Sequence, residues 1–242
     1  MSENQLNISK YFDSTFLKTS VELGISNKEL ESLLVSFINE AIEYDFKCVM
    51  IRPNFISLAK KIKEERRSKI NIGTVIDFPL GDSSTNYKLK EAKDAFKKGA
   101  KELDFVCDYN LFKTGNYDVF DETIYKCSSF AIKNKLIVKW IIETGALSRE
   151  EIRLISKRIY DIVIKNFSNN ISKVFIKTST GYYGGFGATI ADIKAIKSVV
   201  GDMPIKASGG ISDSSICKEM IDLGVIRVGT SKALSIYKEF NQ

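Results

Sequence analysis

The chain is 242 residues long, with 44% hydrophobic and 27% charged residues, a composition typical of a globular protein and not of a disordered or fibrous one. It contains no histidine, which excludes a Ser-His-Asp or Cys-His catalytic site, a histidine-ligated zinc site and histidine as a general base. The net charge of +6 comes from 36 basic and 30 acidic residues that are mixed along the chain. Such mixing indicates solvated helix faces rather than a nucleic-acid-binding stripe, and a modest positive excess suits a phosphorylated substrate.

The four cysteines are far apart in the sequence and form no CxxC pair, so we expect neither a zinc site nor a disulfide framework. Reduced cysteines are typical of a cytoplasmic protein. The N-terminal segment is polar, and no apolar run approaches the roughly 18 residues of a membrane-spanning helix. The sequence therefore predicts a cytoplasmic protein without a membrane partner.

Short apolar runs rich in β-branched residues alternate with longer segments of helical period. Eight runs are predicted to be strands: Tyr11–Ser14, Phe46–Ile51, Ile72–Phe78, Glu102–Cys107, Leu136–Glu143, Lys173–Lys177, Pro204–Ser208 and Ile226–Gly229. Four of the segments between them are predicted to be helices: Asn27–Tyr44, Asn86–Gly99, Ser148–Asn166 and Thr189–Val200. Ser26 or Asn27 could cap the first of these helices, and Gly99 could end the second.

This alternation favours a parallel sheet, and eight units of roughly 30 residues favour a TIM (β/α)8 barrel that forms a single domain over residues 1–242. The alternative is an open, doubly wound sheet. No GxGxxG follows the first strand, so a dinucleotide-binding version of that sheet is disfavoured.

Three lysines lie inside predicted strands: Lys139 in LIVKWII, Lys177 in VFIKTST and Lys206 in PIKASGG. Lysine is depleted in strands and is almost never fully buried without a partner, so three in one barrel indicate function rather than lysines whose amines extend to the surface. Burial and a neighbouring ammonium lower the pKa of a lysine, whose free amine can then attack a carbonyl and form a Schiff base. A carboxylate must move protons beside it, and Asp104 in KELDFVC is the best candidate; it could also be the salt-bridge partner of a buried lysine.

Glycine-rich segments follow the last two predicted strands. Barrels often bind phosphate at this position through backbone N–H groups and the N-terminus of a short helix. Gly209, Gly210, Gly229, Thr230 and Ser231 fit such a site. A phosphate site beside a Schiff-base lysine indicates an aldehyde or ketone sugar phosphate as the substrate, and the reaction needs neither a metal nor a cofactor.

The segments TVIDFPLG, EAKDAFKKGAKELDFV, IIETGAL, FIKTSTGYYGGFGAT, IKASGGI and RVGTSKAL resemble those of the deoxyribose-phosphate aldolases, in the same order, from about Lys10 to about Ile236. The resemblance implies a class I aldehyde-lyase of deoxyribose phosphate catabolism that reversibly cleaves 2-deoxy-D-ribose 5-phosphate to D-glyceraldehyde 3-phosphate and acetaldehyde. It also implies a homodimer.

The resemblance further implies roles for individual residues. Lys177 matches the Schiff-base lysine, Lys206 the lysine that lowers its pKa, and Asp104 the carboxylate that relays protons. Substrate- or phosphate-binding positions are implied for Asp13, Thr15, Lys139, Thr178, Gly209, Gly210, Gly229, Ser231 and Lys232.

The chain also departs from the family pattern. Asp77 and Asp108 are acids where relatives often have Asn or Gly, and Lys232 stands where relatives have a serine. These two acids could bind the lysines, tune substrate affinity or face solvent, and Lys232 could strengthen phosphate binding.

Three other functions remain open from the sequence. The chain could be a Schiff-base aldolase for another sugar phosphate, or a barrel that binds a phosphorylated ligand without catalysis. Nucleic-acid binding rests on the net charge alone and is disfavoured.

Overall fold

Eight parallel strands close on one another in sequence order in the computed structural model, which describes residues 6–241. Each strand pairs with the next, and β1 also pairs with β8. The strands are β1 (Phe12–Phe16), β2 (Cys48–Ile51), β3 (Asn71–Ile76), β4 (Glu102–Val106), β5 (Ile137–Ile141), β6 (Val174–Lys177), β7 (Ile205–Ser208) and β8 (Val225–Thr230). The predicted TIM barrel is confirmed, and the open sheet is excluded because β1 and β8 are hydrogen-bonded.

Helices follow the strands and surround the barrel. They are α1 (Ser20–Leu23), α2 (Asn27–Glu43), α3 (Ile56–Glu65), α4 (Thr85–Lys98), α5 (Tyr109–Lys113), α6 (Tyr117–Lys133), α7 (Arg149–Phe167), α8 (Ile190–Lys197), α9 (Ser214–Asp222) and α10 (Ala233–Phe240). The four helices predicted from the sequence are α2, α4, α7 and α8. None of the helices in residues 6–241 is both long and apolar enough to cross a membrane.

Local sequence signals explain where these helices begin and end. The Ser26 hydroxyl accepts a hydrogen bond from the backbone N–H of Glu29 at 3.2 Å, and the Glu29 carboxylate accepts one from the Ser26 N–H, so α2 begins with a capping box. Gly99 ends α4 with a left-handed φ of 113°, as predicted. The face of α2 that packs on the barrel buries Leu30, Leu34, Ile38 and Ala41, whereas Leu33 lies outside this face and is 48% exposed.

The main apolar core lies between the barrel wall and the helices, because helices cover the outward side chains of the strands, with the exception of Ile226 on β8, which is 46% exposed. Trp140 on β5 is fully buried there against Phe105 of β4, and its indole N–H donates to the hydroxyl of Ser128 on α6. The inside of the barrel is different. One side holds a small apolar cluster of Leu17, Cys48, Met50, Val75 and Phe78. The other side holds buried charged residues, with Val106, Ile141 and Phe175 among them.

Candidate active site

Three lysines and an aspartate predicted from the sequence meet inside the barrel. The Lys177 Nζ donates to Oδ2 of Asp104 at 2.9 Å, and the Lys206 Nζ donates to the same oxygen at 2.8 Å. The Lys139 Nζ donates to the other oxygen, Oδ1, at 2.8 Å. The barrel register explains this meeting, since Lys177 pairs with Lys206 across β6 and β7, and Asp104 pairs with Lys139 across β4 and β5.

Two further carboxylates extend the cluster toward the N-terminal ends of the strands. The Lys139 Nζ lies 2.6 Å from Glu102 and 3.4 Å from Asp13, and the Lys206 Nζ lies 2.6 Å from Asp13. All of these side chains are buried. Lys139 and Asp13 are thus surrounded by charged partners from the protein, and solvent does not reach them.

Arg227 on β8 completes the cluster. Its Nε donates to Oδ1 of Asp13 at 2.6 Å, and its Nη2 donates to Oε2 of Glu102 at 2.7 Å. The amide of Asn71 donates to the remaining oxygen of Glu102 at 2.7 Å. We call Asp13, Glu102, Asp104, Lys139, Lys177, Lys206 and Arg227 the ion-pair network.

Within the ion-pair network, the Lys177 amine differs from the Lys139 amine in the direction of its pKa shift. Burial, together with the charges of Lys206 and Lys139, lowers the pKa of Lys177 to about 8, although Asp104 opposes the shift. In contrast, the nearby carboxylates raise the pKa of Lys139 well above its usual value despite its burial. About half of the Lys177 side chains are therefore neutral near pH 8.

The carboxylates of the network stay ionised. Burial alone would raise the pKa of Asp104, but the charges of Lys139, Lys177 and Lys206 hold that pKa well below its usual value. The pKa values of Asp13 and Glu102 are lowered in the same way, by Arg227 and the lysines, against the effect of burial. Asp104 thus acts as a fixed anion that positions three amines.

Glu143, which follows β5, is a buried carboxyl outside this network. It has a left-handed φ of 58° and accepts hydrogen bonds from the backbone N–H and the hydroxyl of Thr180. Burial raises the pKa of Glu143, and the hydrogen bonds from Thr180 and the charge of Lys177 partly offset the shift. It therefore places a second titratable group close to the Lys177 amine.

The predicted phosphate-binding residues lie at the C-terminal ends of β6, β7 and β8. Gly209 and Gly210 follow β7 with left-handed φ values of 91° and 69°, which residues other than glycine rarely adopt. Ser231 and Lys232 follow β8 and are exposed. The Thr178 hydroxyl is buried, where it donates to the Ser208 carbonyl at 3.0 Å and ties β6 to β7.

Two of the predicted binding residues have structural surroundings that explain them. Gly229 is buried, and a Cβ there would lie 2.8 Å from Cε of Lys206, so the missing side chain makes room for that lysine. The Thr15 hydroxyl donates to the Asp13 carbonyl at 2.8 Å, which fixes the end of β1 beside the network.

Asp77 and Asp108, the two acids that depart from the family pattern, do not bind the lysines of the ion-pair network. Asp77 accepts hydrogen bonds from Lys88 of α4 and from the N–H and hydroxyl of Ser83. Asp108 caps α5 by accepting a hydrogen bond from the Leu111 N–H at 2.7 Å. Both acids therefore order the loops around the mouth of the barrel.

Sequence reasoning missed Glu102, Arg227 and Lys88 as buried charged residues. Glu102 and Arg227 lie in the strand segments ELDFV and VIRVG, so the signal that identified the lysines, a charge inside an apolar strand, could have found them. Lys88 gave no such signal, because it lies among the many charged residues of helix α4.

The ligand atoms of Asp13, Cys48 and Glu102 lie within 4.8 Å of one another, which raises the question of a metal. Both carboxylates are already bound by the guanidinium of Arg227. Burial also raises the pKa of the Cys48 thiol well above its usual value, so the sulfur stays protonated. These three side chains therefore form a binding site for the Arg227 guanidinium and not for a metal ion.

Comparison with known proteins agrees with this geometry. A sequence profile of the DeoC/LacD family aldolases matches residues 17–233. The deoxyribose-phosphate aldolase of Staphylococcus carnosus is 38% identical over 235 residues, which cover 96% of each chain.

Two solved structures have the same fold. One, named "QR15, an Aldolase", superposes with a TM-score of 0.80 at 35% identity and covers 97% of this chain and 96% of its own. The other, described as a unique tetrameric deoxyribose phosphate aldolase from Aeropyrum pernix, has a TM-score of 0.80 at 24% identity and covers 98% and 91%.

The chain is therefore one of the barrel aldolases, the lyases that make and break carbon–carbon bonds. Within that class it belongs to the DeoC/LacD family.

Proposed function

We propose that this aldolase reversibly cleaves 2-deoxy-D-ribose 5-phosphate to D-glyceraldehyde 3-phosphate and acetaldehyde through a Schiff base on Lys177. The observation that carries the proposal is the Lys177 amine, whose pKa is lowered to about 8 at the C-terminal end of β6. Active sites of TIM barrels lie at this end of the strands, and a neutral amine is the form that attacks an aldehyde.

The reaction follows from this amine. Lys177 attacks the C1 aldehyde, water leaves, and a protonated imine forms. The C3 hydroxyl loses its proton and the C2–C3 bond breaks, so that its electrons flow into the imine and glyceraldehyde 3-phosphate is released. The remaining enamine takes a proton at C2, and hydrolysis returns the free amine and releases acetaldehyde.

Two groups support the proton transfers. Asp104 accepts hydrogen bonds from Lys177 and Lys206, so it links the reacting nitrogen to a second ammonium. The carboxylate also stabilises the positive charge that the imine nitrogen carries. Lys206 keeps a second positive charge beside Lys177, which favours the neutral amine before the aldehyde arrives.

The phosphate would lie on the loops after β7 and β8. Gly209 and Gly210 allow a phosphate to approach the backbone closely, and the exposed Ser231 and Lys232 precede helix α10 at the mouth. For Asp13, Thr15, Lys139, Thr178 and Gly229, burial and internal contacts favour a supporting role beneath the substrate rather than contact with the phosphate.

The cleavage assay is the direct test. With 2-deoxy-D-ribose 5-phosphate we expect equal amounts of acetaldehyde and glyceraldehyde 3-phosphate, and no product from Lys177→Met. Lys194→Met is the control, because Lys194 is an exposed lysine on the next helix, α8. Deoxyribose without its phosphate should react far more slowly.

The other outcomes separate the alternatives. Cleavage of a different sugar phosphate in preference to this one would identify another aldolase specificity. Binding of a sugar phosphate without cleavage, and without a covalent adduct, would identify a non-catalytic barrel and contradict the proposal.

We also propose a cytoplasmic homodimer that uses no metal or cofactor and binds no nucleic acid. All four cysteines, Cys48, Cys107, Cys127 and Cys217, are buried and unpaired, which supports a reducing compartment. The dimer rests on the family resemblance, and sedimentation velocity distinguishes it from the tetramer described for the Aeropyrum pernix protein.

A further inference from the structure

We propose that Arg227 and Glu102, which lie beneath the reacting amine, are positioning residues that fix the charge balance of the ion-pair network so that Lys177 is its one surplus cation. This inference rests on the proposed function, because it explains how a buried lysine becomes a nucleophile.

The first step is a count of charges. The network contains three carboxylates, those of Asp13, Glu102 and Asp104. It contains four cationic side chains, those of Lys139, Lys177, Lys206 and Arg227. A buried charge is costly unless it is paired, so the network is most stable when one of the four cations is neutral.

The second step identifies that cation from the contacts. Arg227 has two carboxylate partners and keeps its proton, since Asp13 and Glu102 raise its pKa. Lys139 touches all three carboxylates, and Lys206 touches Asp13 and Asp104. Lys177 touches Asp104 alone, through an oxygen that it shares with Lys206. Of the four cations, Lys177 therefore requires the least free energy to lose its proton.

The third step concerns Arg227 and Glu102, whose ion pairs within the network are with residues other than Lys177. Arg227 neutralises charge on Asp13 and Glu102 that would otherwise act on Lys206 and Lys139. Without Arg227, three carboxylates would face three lysines, and Lys177 would keep its proton. Without Glu102, two carboxylates would face four cations, and Lys177 would lose its proton more readily.

Other groups near the network do not change these signs. The Cys48 thiol faces Asp13 and Glu102 from β2, and burial raises its pKa, so it stays neutral. Asn71 of β3 donates a hydrogen bond to Glu102 and carries no charge. Glu143 faces Lys177 from the loop after β5, and its contribution is common to every variant below.

The test is the pH dependence of Lys177 labelling by an amine-reactive acylating reagent, read by peptide mapping. Because labelling needs no turnover, it reports on the network even if the proposed substrate is wrong. We expect Arg227→Gln to move the midpoint to higher pH and Glu102→Gln to move it to lower pH, each by about 0.5–1 pH unit. The double variant restores a surplus of one cation and should return the midpoint to that of the parent.

The matched controls are Arg158→Gln and Asp121→Asn. These residues form a bidentate pair at 2.6 and 2.8 Å outside the barrel, so the same charge changes there should leave the midpoint unchanged. Shifts of the same sign in the two network variants, or no shift in either, would overturn the proposal.

Folding does not block the test. Removing one partner of a buried pair is strongly destabilising, whereas the balanced double variant removes both partners, so it can be measured alone. A parent-like midpoint in it, together with a displaced midpoint in whichever single variant folds, supports the proposal, and a displaced midpoint in the double variant contradicts it. The variants Arg227→Lys and Glu102→Asp keep the charge of the residue, so they should keep the midpoint of the parent. A displaced midpoint in either would contradict the proposal. A parent that labels at Lys177 as expected but forms no adduct with aldehydes would refute the proposed function and leave this inference standing.

Discussion

The amine of Lys177 experiences two opposing effects. Burial and the charges of Lys206 and Lys139 favour the neutral amine, whereas Asp104 favours the ammonium. The balance leaves a pKa of about 8, near enough to neutrality for a useful fraction of neutral amine, and the same carboxylate stabilises a protonated imine nitrogen once it forms.

Lys206→Leu tests this balance. Removing the Lys206 ammonium raises the pKa of Lys177, because a like charge is lost and Asp104 is left with fewer competing partners. The acid limb of the kcat/KM profile should therefore move to higher pH, by about one unit, with activity at pH 7 reduced about tenfold. Lys206→Arg, which keeps the positive charge, is the control. An unchanged acid limb in an active leucine variant would count against this role.

At this scale the sequence predicted the reacting residues better than their surroundings. A lysine within an apolar strand is anomalous, so Lys139, Lys177 and Lys206 could be found without a structure. The contacts of Gly229 with Lys206 and of Asp77 with Lys88 could not, because each depends on which residue of a distant element comes to lie opposite.

At the scale of the elements, α4 fixes the mouth of the barrel through a buried lysine. The Lys88 Nζ donates to Asp77, to the Gly81 carbonyl at 2.8 Å and to the Val106 carbonyl at 3.0 Å. These acceptors belong to the loop after β3 and to the end of β4, so one side chain joins two strand ends next to Asp104.

Lys88→Met should lower the free energy of unfolding by about 3–5 kcal/mol, because it leaves the Asp77 carboxylate buried without its cation. Urea denaturation measures the loss. Lys90→Met on the same helix is the control, because Lys90 is exposed and its loss should change the stability by no more than about 0.5 kcal/mol. Equal stability of the two variants would show that the buried pair contributes nothing.

Strand and helix order followed from the alternation of apolar runs, and the helix caps at Ser26 and Gly99 followed from local chemistry. The ends of the elements were harder to predict. Strand β5 was expected over Leu136–Glu143 but ends at Ile141, because Glu143 adopts a left-handed backbone conformation instead of an extended one. In this conformation the Glu143 carboxylate accepts hydrogen bonds from Thr180.

At the scale of the whole molecule, the barrel interior divides into an apolar side and a charged side. Leu17, Met50, Val75 and Phe78 lie on the first, and the ion-pair network occupies strands β4 to β8 and reaches Asp13 on β1. The charged side depends on closure of the sheet, because only a closed barrel brings Asp13 of the first strand against Arg227 of the last. The eightfold repeat of strand and helix predicted the closure, whereas the pairing of charges inside required the register of all eight strands.

The most direct measurement is trapping of an aldehyde adduct over a range of pH. Incubation with acetaldehyde, reduction with borohydride and peptide mapping should place the adduct on Lys177, with a yield that rises through a midpoint near pH 8. An adduct on another lysine, or a Lys177 that stays unmodified up to pH 10, would contradict the claim that this amine is the nucleophile.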